Sequence, residues 1–457
     1  MESIVRAVKA HRAFFKKGNT LDVGFRRESL NRLRSTLLKY EDRIYDAFWQ
    51  DLRKSRFEAF ETEIGMLLKE LKLHMRKIKK WARPTRVPTD ILNFYSTSRI
   101  HHQPYGVVLI ISPWNYPLQL CLFPLIGAIS AGNCAMLKPA HYSRNVSQVI
   151  RELIGEAFPP EHVSVVTGGR EVNQAVLDQR FDYIFFTGSP SLARVVMERA
   201  SRHLTPVTLE LGGKNPCVVE PDADIKVAAR RISFGKFLNA GQTCIAPDHL
   251  FVHGEVKEEL LHEIRQCIRR FYGDDPERSP DLGRIINDEQ FRRLERLLHS
   301  AGTIIHGGRV NPDTRYIEPT LIDRIKPDDP IMGEEIFGPI LPVMDYTHLG
   351  EVISFINTRE KPLAMYVFTS SRRARGRFLS QTSSGGGCIN ETIMHFLNPR
   401  MPFGGVGNSG MGCYHGKFSF DTFSHHRSIL QKTTRFNITL AYPPYKGKMK
   451  YVRRLLS

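Results

Sequence analysis

The chain has 457 residues, with 65 Lys and Arg against 47 Asp and Glu, and so carries a formal net charge of +18. Its 41% hydrophobic and 25% charged residues exclude disorder as the main state, and at roughly 150 residues per domain the length suggests about three compact units. The basic excess leaves nucleic acid, an anionic membrane surface or acidic ligands open as partners, whereas seven scattered cysteines without a CxxC exclude a disulfide framework and a zinc ribbon.

The N-terminal MESIVRAVKAHRAFFKKG is charged throughout and has no apolar h-region, so no secretory signal is expected and a reducing, cytoplasmic setting is the default. In that setting the sequons at Asn145, Asn390 and Asn437 carry no weight. Residues 1 to 82 read as helical. Ile64, Leu67, Leu68, Leu71 and Met75 form one apolar stripe, opposite a basic face of Lys69, Lys72, Arg76, Lys79 and Lys80 that reads as solvated. Pro84 and Pro88 end this region.

Gln103 to Leu137 holds no charge, but Pro104, Pro113, Pro117 and Pro124 interrupt it, which argues against a membrane-spanning helix. It reads as a buried strand at 106–112, a Pro-rich turn and a buried helix from about 118 to 131. Apolar runs then start near Gly106, Asn133, Val163, Tyr183 and Val207, each a βα unit apart. That pattern predicts a doubly wound α/β fold with ligands beyond the carboxyl ends of its strands. The second half alternates helices (about 225–240, 254–272 and 287–301) with short strands, suggesting another α/β unit. The last stretch, ending KGKMKYVRRLLS, mixes basic and apolar residues; it suits either an anionic surface or a loose solvated tail.

GVGNSG fits G-x-G-x-x-G at Gly405, Gly407 and Gly410, yet no strand precedes it and no helix follows, so it is rejected as a dinucleotide loop. YIFFTGS is the better phosphate candidate, because a strand runs into Gly188, Ser189 and a helical start; an ordinary turn with a Ser cap is the plain alternative. Cys244, in NAGQTCIAP, lies in a Gly-containing turn where a thiolate could reach a ligand. Glu210, in TLELGGKNP, is a carboxylate at a strand end before two glycines, costly to bury without a use. His101–His102 and His425–His426 are adjacent pairs whose members point to opposite faces of a strand, so metal ligation is not expected. Asn390 and His415 read as packing or hydrogen-bonding residues, with a catalytic role as the alternative.

Taken in order, PWNYP (113–117), LKPA (137–140), FTGS (186–189), LELGGKNP (209–216), GQTC (241–244), EEIFGP (334–339) and PFGGVGNSGMG (402–412) resemble the signature set of aldehyde dehydrogenases. GQTCIAPD and CYHGKFSFDTFSH are most similar to the class 3 branch for fatty and aromatic aldehydes. The resemblance implies a Rossmann-type cofactor domain (1–83 and 103–211, with 397–421 returning to it) and an α/β catalytic domain (212–396). It further implies a small β oligomerisation element (84–102 and 422–441) and a basic tail (442–457).

It also implies Cys244 as thiolate nucleophile, Asn115 as oxyanion donor and Glu210 as the base that hydrolyses a thioester, against coenzyme-A-acylating relatives. Cofactor contacts for NAD or NADP fall on Trp114, Lys138, His141, Gly188, Ser189, Glu335 and Phe337, with no metal site. Ala193 stands where the family's FTGS helix usually has Gly, which would set that helix slightly farther from the cofactor. His141 stands where many relatives have a ribose-binding Glu; without that carboxylate a 2′-phosphate is not repelled, so NADP should serve at least as well as NAD. The partners expected are an aldehyde, a second copy of the chain and an anionic membrane at the tail, with no nucleic acid. The competing class is a non-catalytic protein on this scaffold, held to membrane or RNA by its charge.

Overall fold

The computed structural model describes residues 2–435, 437 and 439–456. Helices Glu2–Lys16, Val23–Lys39, Glu41–Leu52 and Gly65–Trp81 make up most of the N-terminal region. In the last of these Leu67 and Leu71 are fully buried, with Leu68 and Met75 half-buried. Two polar residues interrupt the stripe from inside. Glu70 accepts from Gly416 N–H at 2.7 Å and pairs with His74 at 3.0 Å, whose other ring nitrogen meets the Ser130 hydroxyl at 2.6 Å.

The charge-free segment is core. Helix Gln119–Ala131 is buried at every residue, and among the described residues no helix is long and apolar enough to cross a membrane.

Five parallel strands form the first sheet in the spatial order Val207–Glu210, Tyr183–Thr187, Val107–Ile111, Cys134–Lys138 and Val163–Val165. The chain winds outward from Val107–Ile111 to one side and then returns to fill the other. A crevice therefore opens at the carboxyl ends, where Ile111, Lys138, Thr187 and Glu210 stand. Gly410–Met411 adds an antiparallel edge, with Gly410 opposite Glu210. The rejected glycine segment thus lies against a strand that carries a candidate catalytic carboxyl.

The second sheet has seven strands in the order Thr303–His306, Thr320–Asp323, Ile340–Tyr346, His249–His253, Pro216–Val219, Ala364–Phe368 and Gly386–Ile389. All pairings are parallel except that of Thr303–His306. A third, antiparallel sheet joins Thr85–Val87, Ser96–Pro104 and Ser424–Lys432.

Within this small sheet the neighbours His101 and His102 do face apart, but register sets His426 directly opposite His102. Asp421 joins that pair, and the three ligand atoms lie within 4.8 Å of one another. The sequence expectation concerned the adjacent pairs His101–His102 and His425–His426; the register instead brings His102 and His426 together from different strands. Beyond the sheet, Met449–Leu456 forms a helix exposing Met449, Tyr451 and Leu456 beside Lys450, Arg453 and Arg454.

Candidate active site

Two cavities meet at the mouth of the first sheet. One, of about 850 Å³, is walled by apolar side chains that include Met66, Phe234, Phe396 and Phe403. The other, a cleft of about 1650 Å³, is lined by Lys138, Arg170, Arg293 and Glu335 among others. Leu120, Thr187, Glu210, Leu211 and Cys244 belong to both linings.

Cys244 reaches this junction through a local backbone device. The expected helix to 240 ends at Phe237, and Asn239, Ala240 and Gly241 follow in left-handed conformations with φ of 54°, 53° and 73°. Such residues cost on the order of 1–3 kcal/mol each unless their surroundings over-determine them. Here Asn239 Nδ2 donates to Asn115 O at 2.9 Å and to Gln242 O at 3.1 Å. The Gln242 amide in turn donates to Arg284 O and accepts from Ile286 N–H, both at 3.0 Å. Asn215 completes the clamp, donating to Cys244 O at 2.7 Å and Ala246 O at 3.0 Å while accepting from Ala364 N–H at 2.9 Å.

Burial, with Glu335 and Glu210 nearby, pushes the Cys244 thiol up to about 12. Attack as a thiolate therefore has to be coupled to loss of a proton that burial holds on the sulfur. Glu210 is only 2% exposed, and neither carboxyl oxygen has a hydrogen-bond partner. Burial raises it well above the usual carboxyl range. Asn115 is also buried; its Nδ2 donates one hydrogen to Gln242 O at 3.0 Å, leaving the second for the cleft.

All seven predicted cofactor-binding residues line the larger cleft. Lys138 ends its strand with Nζ on Pro139 O at 3.0 Å, and burial pulls it down to about 8. Gly188 and Ser189 open helix Pro190–Ser201, with the Ser189 hydroxyl accepting from Leu192 N–H at 3.5 Å. The Trp114 and Phe337 rings meet edge to face at 5.3 Å. A methyl at Gly212 would stand 2.2 Å from a Glu335 carboxyl oxygen, so only glycine lets that carboxyl dock there, where burial and Asp248 raise it to about 8. The His141 and Tyr142 rings meet at a 38° tilt with centroids 4.0 Å apart, and burial, Lys138 and Arg144 hold the His141 imidazole below the ordinary value.

Ala193 faces away from the cleft, into the core with Val176, Phe181 and Val196. Asn390 and His415 also lie off the cavity walls. Asn390 bonds both ways to the Thr369 backbone, and His415 is packed among Phe123, Phe396 and Phe403. Asn215, Arg170 and Arg293 were missed by sequence reasoning. Asn215 sits inside a quoted motif, but nothing local marks its three bonds, and the two arginines come from helices remote in sequence.

Such a cleft, placed at the switch point of a doubly wound sheet with a helix N-terminus and cations on its walls, fits a dinucleotide. Known proteins agree. The Aldehyde dehydrogenase family profile matches residues 1–429.

The chain belongs to the aldehyde dehydrogenase family.

It is an oxidoreductase of that family, whose cofactor is NAD or NADP. The chain is 49% identical to the 4,4'-diaponeurosporen-aldehyde dehydrogenase of Staphylococcus aureus, over 97% of this chain and 96% of the relative. It is 41% identical to an aldehyde dehydrogenase of Rattus norvegicus described as dimeric and NADP-preferring, over 98% and 99%. A solved Staphylococcus aureus AldH in its substrate-bound state superposes with a TM-score of 0.98 at 47% identity, covering 99% of each chain.

Proposed function

We propose that this chain oxidises medium-to-long aliphatic or aromatic aldehydes to carboxylic acids, through a thiohemiacetal and then a thioester on Cys244. The observation that carries this reading is the junction: an apolar cavity fit for a lipophilic chain opens onto the polar cleft at Cys244 and Glu210. Cys244 Sγ attacks the aldehyde carbonyl. The free Nδ2 hydrogen of Asn115 and the Cys244 backbone N–H take the developing oxyanion.

Bound NAD or NADP supplies the hydride acceptor. The N–H groups opening at Gly188 and Ser189 suit its pyrophosphate, Lys138 and Glu335 its riboses, and Trp114 and Phe337 the space around its ring. Glu210, with two unpartnered oxygens, takes a proton from the water that cleaves the thioester.

NADP is served at least as well as NAD. The support is His141, an imidazole in place of a carboxylate, with Lys138 and Arg170 on the same wall of the cleft. A homodimer is supported by the exposed edge strand Ser424–Lys432, and contact with an anionic membrane by the basic, apolar helix Met449–Leu456. The non-catalytic alternative gains no specific support, since nothing in a passive binder calls for a buried, unpartnered Glu210 beside a cysteine.

The deciding experiment is reduced-nicotinamide absorbance with fatty and aromatic aldehydes and either cofactor. Turnover is expected with at least one aldehyde of these classes and is lost in Cys244→Ala; silence of the unmodified chain across both classes would overturn the reading.

A further inference from the structure

We propose that His102, His426 and Asp421 form a binding site for a borderline divalent metal ion, zinc foremost. The three side chains come from different elements: strand Ser96–Pro104, strand Ser424–Lys432 and helix Lys417–Thr422. One ring nitrogen of each imidazole and a carboxylate oxygen lie within 4.8 Å of one another. The imidazole rings stand perpendicular with centroids 4.9 Å apart, and His426 Nε2 is 3.7 Å from Asp421 Oδ1. Two imidazoles, one carboxylate and a water make the four-coordinate set that zinc accepts, and the nitrogen ligands disfavour magnesium or calcium.

His102 carries the argument furthest. Its Nε2 meets the Thr85 hydroxyl at 3.2 Å, and its ring lies edge-on to Phe420 at 5.6 Å. Its Nδ1 is buried without a hydrogen-bond partner. A ring nitrogen held by a hydroxyl while the other stays unpartnered is the arrangement of an oriented metal ligand, with the hydroxyl acting as support for the ring.

One group opposes the ion. Lys417 Nζ holds Asp421 Oδ1 at 2.7 Å. That lysine is 53% exposed and can swing into solvent, so its ammonium is a competitor rather than a barrier. An ion here would pin the start of strand Ser424–Lys432 to the helix before it, which follows the segment paired with Glu210.

The test uses the full, tag-free chain carrying Cys244→Ser, so that the junction thiol takes no metal, stripped with EDTA and desalted. Zinc chloride is titrated by calorimetry, and cobalt chloride by visible absorbance. One zinc per chain is expected, with a tetrahedral cobalt spectrum. Affinity should fall at least about tenfold in His426→Asn and in Asp421→Asn, rise in Lys417→Ala and stay unchanged in His425→Asn. His102→Asn should act like His426→Asn; should that half-buried variant fail to fold by circular dichroism, the exposed His426 carries the decision. No zinc uptake by the stripped chain, or uptake that His426→Asn leaves at full strength, would overturn the site.

Discussion

The acid-base chemistry turns on two buried groups whose charged forms burial disfavours. Replacing Cys244 by Ala is expected to lower turnover by about 10⁴-fold or more, the scale seen when a nucleophile is deleted. Glu210→Gln should lower steady-state turnover by about 10²–10⁴ while sparing the first-turnover burst of reduced nicotinamide, because its work comes after acylation; loss of the burst would assign Glu210 to the first step instead. Since the Cys244 thiol is raised, kcat/KM should climb as pH rises above neutrality. Stability runs the other way. A carboxyl raised in the folded state favours folding fully below its unfolded value and loses that contribution as pH rises towards the folded one. Glu210→Gln should therefore melt increasingly above the unmodified chain as pH rises through and beyond the ordinary carboxyl range, and a constant gap in Tm would contradict the burial assigned to this carboxyl. At His141, a new carboxylate near a 2′-phosphate is worth about 1–4 kcal/mol of repulsion. His141→Glu should accordingly cut kcat/KM for NADP at least about tenfold and that for NAD much less; equal losses would place His141 away from the 2′ position.

Elements were legible where burial writes a continuous pattern. The five runs starting near 106, 133, 163, 183 and 207 became the five parallel strands, since strands covered on both faces read as unbroken apolar stretches between turn residues. The helix before Cys244 ends three residues short of its sequence pattern, because Leu238, Asn239 and Ala240 carry no break signal; tertiary bonds to Asn115 and Gln242 impose the left-handed turn. The apolar cavity was illegible for a related reason, as Met66, Phe234 and Phe403 are brought together only by packing. Asn215 shows the energetic weight of such non-local ties. Asn215→Ala removes three hydrogen bonds and should destabilise the fold by about 3 kcal/mol, with kcat falling as the Cys244 loop loosens; denaturant unfolding and single-turnover rates would measure both. The tail is a separable element. The full chain should sediment with vesicles rich in anionic lipid and not with neutral ones, and a chain lacking residues 444–457 with neither. Retention by the shortened chain would move the contact elsewhere on the surface.

Over the whole molecule, the +18 charge is spread rather than focused on the chemistry, with Lys138, Arg170 and Arg293 its main representatives in the cleft. The small antiparallel sheet leaves Ser424–Lys432 as a nine-residue edge strand, seven of its residues exposed, a template for another copy. Light scattering should give twice the chain mass, and Leu430→Glu, at a residue 48% exposed on that edge, should shift the mass towards one chain; a monomer before substitution would remove the dimer. The two-chambered junction bears finally on kinetic order. With aldehyde in the apolar cavity and dinucleotide in the polar cleft, as proposed, the two linings share five wall residues, and neither ligand would have to leave for the other to exchange. An unreactive long-chain amide lodged in the apolar chamber is then expected to compete with aldehyde but not with the dinucleotide, and acid product and reduced cofactor to depart in either sequence.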